Sequence, residues 1–155
     1  MNFRLAVKED LSQLAKMRWD FQTEDETEIP VFEKEVFVEK CADFLSECFD
    51  KGDWHFWIAE EDGEIVSHIF AKAIKTIPRP VRFDNGWCYI TNVYTKPEFR
   101  GRKIGAELLQ SVKIWAAEKD FELILVSPSD DSIEFYKREG FLPETEFYQL
   151  RLREF

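Results

Sequence analysis

The spacing of apolar side chains predicts two helices in the first third of the chain. Residues 3–7 alternate like a short strand, and helical spacing begins near residue 9, where acidic residues suit the helix dipole. The face of this first helix carries Leu11, Leu14, Ala15 and the pair Arg18-Trp19. Residues 24–30 form an acidic loop that ends in proline. A longer helix follows and is expected to end before Gly52. Its apolar face carries Phe37, Cys41, Phe44, Leu45 and Cys48.

From residue 54 the spacing becomes that of strands. Residues 54–59 and 65–70 are apolar runs that flank a turn containing Asp62-Gly63, and this arrangement predicts a β-hairpin. Prolines in residues 78–80 then indicate a loop. Residues 87–94 predict a further strand.

The last third of the chain alternates helices and strands. Residues 104–116 have helical spacing, and 121–126 form an apolar strand, so this pair predicts a crossover to a parallel neighbour. A short helix over 132–139, capped by Gly140, precedes an alternating strand over 147–152. The order predicts a compact α/β or α+β domain.

Length and composition limit the class of protein. The 155 residues predict one domain over 1–155, and the 45% hydrophobic and 15% aromatic content excludes disorder. A formal net charge of −10 makes nucleic acid a poor partner, because backbone phosphates require clustered positive charge. The same negative field attracts small cationic molecules.

No segment of the sequence predicts export or metal binding. There is no apolar leader and no run of roughly 20 apolar residues, so we expect a soluble, cytoplasmic protein without membrane contact. The three cysteines are scattered without C-x-x-C spacing and are predicted to be buried free thiols: Cys41, Cys48 and Cys88. His55 and His68 carry no local signature of a nucleophile's partner and are predicted to be ordinary strand residues.

One basic segment stands out in this acidic chain. Between the strand at 87–94 and the helix at 104–116 lie four basic residues: Lys96, Arg100, Arg102 and Lys103. The unpaired amides and the dipole at a helix N-terminus both favour an anion, so this turn predicts a phosphate-bearing ligand. Neither the G-x-G-x-x-G string of dinucleotide-binding folds nor the G-x-x-x-x-G-K-[ST] string of P-loops occurs.

At this turn the chain resembles the GNAT superfamily of acetyl-CoA-dependent N-acetyltransferases. Arg100-Gly101-Arg102-Lys103-Ile104-Gly105 lies on the family's Q/R-x-x-G-x-G/A signature. Residues 3–11, 58–66 and 129–141 are similar to its opening strand and helix, its central hairpin and its N-x-x-A-x-x-x-Y-x-x-x-G-F segment. These blocks keep the family order and cover most of the chain. The resemblance implies a mixed, mostly antiparallel sheet of about six or seven strands with about four helices on its two faces.

Two residues depart from the family's pattern. Lys103 stands where the signature has its first glycine, which permits a positive φ and close approach to phosphate. We expect cofactor binding to survive, because the Lys103 ammonium can contact the phosphate itself. Ser129 stands where the later segment often has asparagine, and its hydroxyl cannot reproduce the two-sided pairing of an amide.

The resemblance implies acetyl-CoA as co-substrate and no metal. Its pyrophosphate would lie on the amides of Arg100, Gly101, Arg102, Lys103, Ile104 and Gly105. Its pantetheine arm would pair with the backbone of Val93, Tyr94 and Thr95, where that strand separates from its parallel neighbour. Ser129 belongs to the same cofactor-binding set. The basic side chains considered for phosphate contact are Arg102 and Lys103 first, then Lys137 and Arg138.

The resemblance also implies direct attack of a neutral amine on the thioester through a tetrahedral intermediate. A backbone N–H near Val93 would polarise the carbonyl, and Tyr136 would be the catalytic general acid. Trp87, Tyr89 and Thr91 alternate with Cys88 and Ile90, so one set is expected to face the acceptor. The central strands carry no carboxylate, which leaves a water-relayed base or a loop acid: Glu24, Asp25, Glu26, Glu28 or Asp84.

Three functions remain open from the sequence. The first is N-acetylation of the primary amine of a small cationic molecule, aminoglycoside-like or polyamine-like. The second is a non-catalytic acyl-CoA-binding sensor or interaction domain on the same fold. The third is a protein or peptide N-acetyltransferase. A homodimer, through an exposed strand or the aromatic-rich face, is also left open.

Overall fold

The computed structural model describes residues 1–25, 29–83, 86–143, 147 and 150–152. It contains four α-helices and five strands within these residues. In chain order they are β1 (Asn2–Leu5), α1 (Leu11–Thr23), α2 (Lys34–Lys51), β2 (Trp54–Glu61), β3 (Glu64–Lys75), β4 (Gly86–Thr95), α3 (Ile104–Glu118), β5 (Leu123–Val126) and α4 (Ile133–Arg138).

The strands form one mixed sheet in the order β1-β2-β3-β4-β5. The first four are antiparallel to their neighbours, whereas β5 runs parallel to β4 and is reached through α3. This arrangement confirms the predicted fold class and the predicted crossover. The sheet has five strands among the described residues, fewer than expected. The difference lies at the C-terminus: of the strand predicted over 147–152, residues 148 and 149 lie outside the described residues, and Phe147 and residues 150–152 have no strand pairing there.

The alternation of side chains along the strands gives the sheet two apolar faces. Helices α1 and α2 cover one face, with a core that includes Leu14, Leu45, Phe56, Phe70 and Tyr94. Helices α3 and α4 cover the other, with a core that includes Ile69, Ile90, Leu108, Val112 and Tyr136. The sheet therefore separates two layers, and its central strands carry side chains into both.

Two predicted chain reversals are confirmed by their backbone. Asp62 and Gly63 join β2 to β3 with φ of +53° and +81°, the left-handed values that a two-residue hairpin turn requires at both positions. Helix α2 ends at Lys51, and Gly52 follows with φ +73°. The Gly52 amide donates to the carbonyls of Cys48 and Phe49, both at 3.2 Å.

Arg4 connects β1 to the start of α1. Its guanidinium donates to Asp10 at 2.6 Å and to Glu60, on β2, at 2.5 Å. The Arg4 hydrogen bond lowers the pKa of Asp10, and burial opposes that shift. This paired charge cluster fixes the edge of the sheet to the α1 layer.

The described part of the chain contains neither a disulfide nor a helix that could span a membrane. Cys41, Cys48 and Cys88 are free thiols; the last two are buried as predicted, while Cys41 is half-buried. No helix described is both long and apolar enough to cross a bilayer.

Candidate functional site

The turn between β4 and α3 presents a run of free backbone amides. A 3₁₀ turn over Pro97–Phe99 uses the Arg100 amide, which donates to the Pro97 carbonyl at 3.2 Å. From Gly101 to Ala106, the amides have no acceptor among the described residues. Gly101 and Lys103 both adopt left-handed backbone, with φ of +76° and +63°. These two residues turn the chain so that the amides and the N-terminus of α3 point to one anion site.

The free amides border a cavity of about 580 Å³. Its wall includes the start of α3, the end of β4 and one side of α4, and it brings together Thr95, Phe99, Lys103, Gly105, Phe135 and Arg138. Helix α4 therefore closes the cavity opposite the turn. Of the predicted cofactor residues of the turn, Arg102 is not in this wall; the other five are: Arg100, Gly101, Lys103, Ile104 and Gly105.

Most basic side chains of the turn are already paired with glutamates. Arg100 contacts Glu24 at 2.6 Å, Arg102 contacts Glu61 at 3.2 Å, and Lys96 pairs with Glu64. Among the described residues, neither Lys103 nor Arg138, on the opposite wall, has a carboxylate within ion-pair distance. The charge that remains unpaired at the cavity is thus carried by Lys103 and Arg138. Arg102, which the sequence favoured, is committed to the end of β2.

Strands β4 and β5 pair over only part of β4. Their parallel register runs from Trp87 opposite Leu123 to Ile90 opposite Val126 and stops there. Beyond it, β4 continues to Thr95 while pairing with β3 alone among the described strands. Its register with β3 shifts at a bulge near Asn92, whose φ is +50°. Residues 93–95 therefore have a free side at the place predicted for the pantetheine arm.

The three predicted strand residues of the cofactor site differ in burial. Tyr94 is buried in the α1–α2 core, whereas Val93 and Thr95 are half-buried. The Thr95 hydroxyl lies 2.8 Å from the Ser67 hydroxyl, and its carbonyl accepts from the Arg100 Nε at 3.0 Å. Backbone and side-chain bonds thus hold the end of β4 against the turn.

Tyr136 lies on α4, between Phe135 and Phe141, at ring distances of 5.1 and 5.4 Å. It lines a second cavity of about 560 Å³ beside β5, together with Tyr89 and residues 123–128. Burial raises the pKa of Tyr136 to about 12. Its hydroxyl has no hydrogen-bond partner among the described residues. The position offers a protonated phenol next to the strand that separates from β4.

Ser129 lies away from the free amides. Its hydroxyl donates to the Ser132 hydroxyl at 3.1 Å, and its carbonyl accepts from the Ser132 amide at 2.9 Å. The side chain is exposed and serves the turn that starts α4. It is not part of the wall of the cavity beside the free amides.

Two of the five candidate bases lie in the described residues. The Glu24 carboxylate accepts hydrogen bonds from Arg100, and these lower the pKa of Glu24. Asp25 is exposed next to it. Glu26, Glu28 and Asp84 lie outside the described residues.

The alternation predicted along β4 places its two sets of side chains on opposite faces. Cys88 and Ile90 are fully buried under α3. Trp87, Tyr89 and Thr91 alternate with them and are half-buried, and Tyr89 also lines the cavity that contains Tyr136. This second set is the one available to an acceptor.

A buried polar cluster lies at the β4 bulge, and the sequence analysis did not identify it. Arg18, on α1, donates to the Asn92 side-chain oxygen at 2.7 Å. The Asn92 Nδ2 and both ring nitrogens of His68 are buried and reach no partner among the described residues. The available signal was Arg18 itself, a charge seven residues after Leu11 on the helix face that also carries Leu14.

The sequence matches the family model described as acetyltransferase (GNAT) family over residues 11–141. No curated protein matches it significantly.

Solved structures with the same fold are numerous. The structure of a predicted acetyltransferase with acetyl-CoA from Clostridium acetobutylicum is 26% identical to this chain and has a TM-score of 0.80. The match covers 97% of this chain and 96% of the Clostridium chain. A GCN5-related N-acetyltransferase from Ralstonia eutropha JMP134 is 22% identical, with 97% of each chain covered and a TM-score of 0.76. Glucosamine-6-phosphate N-acetyltransferase from Arabidopsis thaliana is 15% identical, with 98% of each chain covered and a TM-score of 0.69. The last two likenesses show the fold.

Proposed function

Because the chain belongs to the acetyltransferase (GNAT) family, we propose that it transfers the acetyl group of acetyl-CoA to the primary amine of a small, cationic acceptor. Family membership makes the protein an acyltransferase of the N-acetyltransferase type. The observation that carries the proposal is the run of free amides from Gly101 to Ala106, beside a β4 edge that has left β5 at Ile90. A phosphate-bearing ligand with an extended amide-containing arm fits that combination.

The residues of the cavity suit acetyl-CoA. The amides from Gly101 to Ala106 would bind the pyrophosphate, and the unpaired cations of Lys103 and Arg138 would add charge. The backbone of Val93, Tyr94 and Thr95 would pair with the pantetheine arm, as a missing neighbouring strand would. When bound, acetyl-CoA supplies the activated thioester.

Tyr136 is the residue we assign to the leaving group. Its pKa of about 12, raised by burial, keeps the phenol protonated at neutral pH. A thiol has an ordinary pKa of about 8.5, so full transfer from the phenol is uphill. Tyr136 therefore acts by hydrogen-bonding the sulfur as negative charge develops. The backbone amide of Val93 is assigned to the carbonyl oxygen.

The acceptor amine must lose a proton before it attacks. An alkylammonium with a pKa near 10 lies roughly 3 units from neutrality at pH 7, a cost of about 4 kcal/mol. Glu24 suits this task poorly, because the hydrogen bond from Arg100 lowers the pKa of Glu24 and makes its carboxylate a weaker proton acceptor. Asp25, a base relayed by water, and the loop acids outside the described residues, Glu26, Glu28 and Asp84, remain as candidate proton acceptors.

The proposal extends to the setting of the enzyme. The net charge of −10 favours a cationic small acceptor over nucleic acid. A cytoplasmic location, a single domain over 1–155 and a homodimer stay predictions.

Two measurements on the purified protein test the proposal. Isothermal titration with acetyl-CoA should give micromolar affinity, and release of free thiol should appear with at least one primary amine of a panel of polyamines, aminoglycosides and amino acids. Mass spectrometry should find one acetyl group added to that amine. Tight binding with no thiol release on any amine would contradict transfer, and an absence of binding would contradict the cofactor site as well.

A further inference from the structure

Arg18 is a half-buried cation without an acid. It lies on α1 with its guanidinium 5.7 Å from the centre of the Phe21 ring, and it donates to the Asn92 side-chain oxygen at 2.7 Å. Among the described residues no carboxylate lies within ion-pair distance of it. Burial lowers the pKa of Arg18. Buried charges in proteins are normally paired, so this arrangement is unusual.

Two residues near Arg18, Asn92 and His68, carry buried polar atoms that no other side chain hydrogen-bonds among the described residues. Asn92 gives its oxygen to Arg18, which leaves its buried Nδ2 as a donor without a partner among the described residues. His68 is fully buried, with 0% of its surface exposed; neither ring nitrogen has a side-chain partner there, and an interaction with the Asn92 backbone partly opposes the effect of burial on its pKa. Burial above all, and the nearby Arg18 charge in addition, lower the pKa of His68 to about 3, so the ring is neutral. A neutral imidazole adds one more N–H donor.

The cluster lies beside the proposed reaction site. Asn92 is the bulge residue of β4 and directly precedes Val93, the first residue assigned to the pantetheine arm. The Tyr94 ring lies 5.8 Å from the His68 ring, in the core under α1 and α2. Tyr136 packs in the core on the other side of the sheet. The cluster is therefore on the face opposite the proposed acid, and Thr91, one residue before Asn92 on β4, is half-buried beside it.

We propose that Arg18, supported by Asn92, binds an oxyanion of the acceptor, a carboxylate or a phosphate. This inference rests on the proposed function and names its substrate class: a primary amine that also carries one anionic group. A guanidinium matches the two oxygens of such a group in a bidentate pair, and the Asn92 amide is a further donor at the same place. The ammonium of such a molecule suits the protein's negative field, while its anion compensates the half-buried Arg18 cation.

The test compares paired amines with and without an anionic group, at equal concentrations of the neutral amine, because the anion also changes the pKa of the amine. Suitable pairs are an amino acid and its carboxamide, and phosphoethanolamine and ethanolamine; they also separate carboxylate from phosphate. With the native protein, kcat/KM should be 10- to 100-fold higher for the anionic member of at least one pair, as expected for a charged hydrogen-bonded contact. Equal kcat/KM for both members of every pair would overturn the inference while leaving acetyl transfer intact.

Variants of Arg18 locate the effect. Arg18→Met should raise KM for the anionic amine 10- to 100-fold. It should leave KM for the partner amine without the anion, and the affinity for acetyl-CoA, unchanged. Arg18→Lys keeps the charge but loses the planar guanidinium, so its KM for the anionic amine should lie between those of the native protein and of Arg18→Met. Lys16→Met is the matched control, because Lys16 is an exposed cation on the same helix, and it should change neither constant. A purely structural Arg18 would instead lower thermal stability and affect both amines alike.

Direct binding separates the two proposals if no turnover is found. Titration of the anionic amines into the native protein and into Arg18→Met then gives the answer. Binding that is lost in the variant would support the anion site and overturn only acetyl transfer. The absence of anionic-amine binding to the native protein would overturn the anion site.

Discussion

The Arg100 guanidinium and the Glu24 carboxylate form a two-point ion pair, with N–O distances of 2.6 and 2.8 Å. Glu24 directly follows α1, and Arg100 belongs to the turn before α3, so the pair ties the α1 layer to the proposed cofactor turn. The Arg100 Nε also donates to the Thr95 carbonyl. Glu24, a candidate base in the sequence analysis, thus positions Arg100 and the turn that contains it.

The first prediction concerns Glu24→Gln. Because Arg100 lowers the pKa of Glu24, the carboxylate is a weak proton acceptor, and its loss should reduce kcat by less than about 3-fold. The KM for acetyl-CoA should rise about 2- to 5-fold, since an exposed ion pair contributes up to about 1 kcal/mol. The measurement is steady-state kinetics from pH 6 to 9, with Glu39→Gln, an exposed acid on α2, as control. A drop in kcat beyond 100-fold with loss of the acidic limb would make Glu24 the base.

The second prediction separates strain from charge at Lys103. Lys103 holds φ +63°, which costs a side-chain-bearing residue about 1 kcal/mol, so Lys103→Gly should stabilise the fold by about 0.5 to 1 kcal/mol. Loss of the ammonium should raise the acetyl-CoA Kd about 2- to 5-fold. Lys103→Gln is the control, with the same rise in Kd and no stabilisation. Tighter acetyl-CoA binding by Lys103→Gly would show that the ammonium makes no phosphate contact.

The third prediction concerns stability and pH at the Arg4–Asp10 pair. The Arg4 hydrogen bond lowers the pKa of Asp10, so the pair stabilises the fold fully above the ordinary carboxyl pKa of about 3.9. This contribution disappears as pH falls through the lowered native pKa. Asp10→Asn should therefore lose about 1 to 2 kcal/mol at pH 7, and the loss should shrink toward pH 2.

Chemical denaturation at several pH values measures this difference. The matched control is Asp50→Asn, which breaks an exposed ion pair to Lys8 and should change stability by less than about 0.5 kcal/mol. A loss for Asp10→Asn that does not vary with pH would contradict the linkage.

Local patterns in the sequence predicted much of the fold. Apolar spacing identified the helices that became α1 to α4, and Asp62-Gly63 identified a hairpin because few residue pairs accept two positive φ angles. The basic turn was visible as well, since its function depends on backbone amides and short-range sequence. The described residues hold fewer strands than expected, because alternation over 147–152 does not show whether a neighbouring strand is present to pair with.

The details of the site depended on contacts between distant residues. Nothing in the turn shows that Arg102 pairs with Glu61, 41 positions away, or that Lys103 keeps its charge unpaired. The bulge at Asn92 arises where β3 and β4 shift register, which is a property of the pair and not of either strand. Arg18 was visible as a charge on an apolar stripe, but its isolation from acids required the packed structure.

The most direct test of the account compares Tyr136→Phe with Tyr89→Phe, because both tyrosines line the cavity beside β5 and only Tyr136 is assigned to the leaving group. The measurement is single-turnover thiol release with an amine found to be a substrate, together with acetyl-CoA affinity. The account predicts that Tyr136→Phe slows release about 100-fold or more at unchanged acetyl-CoA Kd, and that Tyr89→Phe changes it less than about 5-fold. Thiol release by Tyr136→Phe at the native rate would contradict the assignment of this cavity to the reaction.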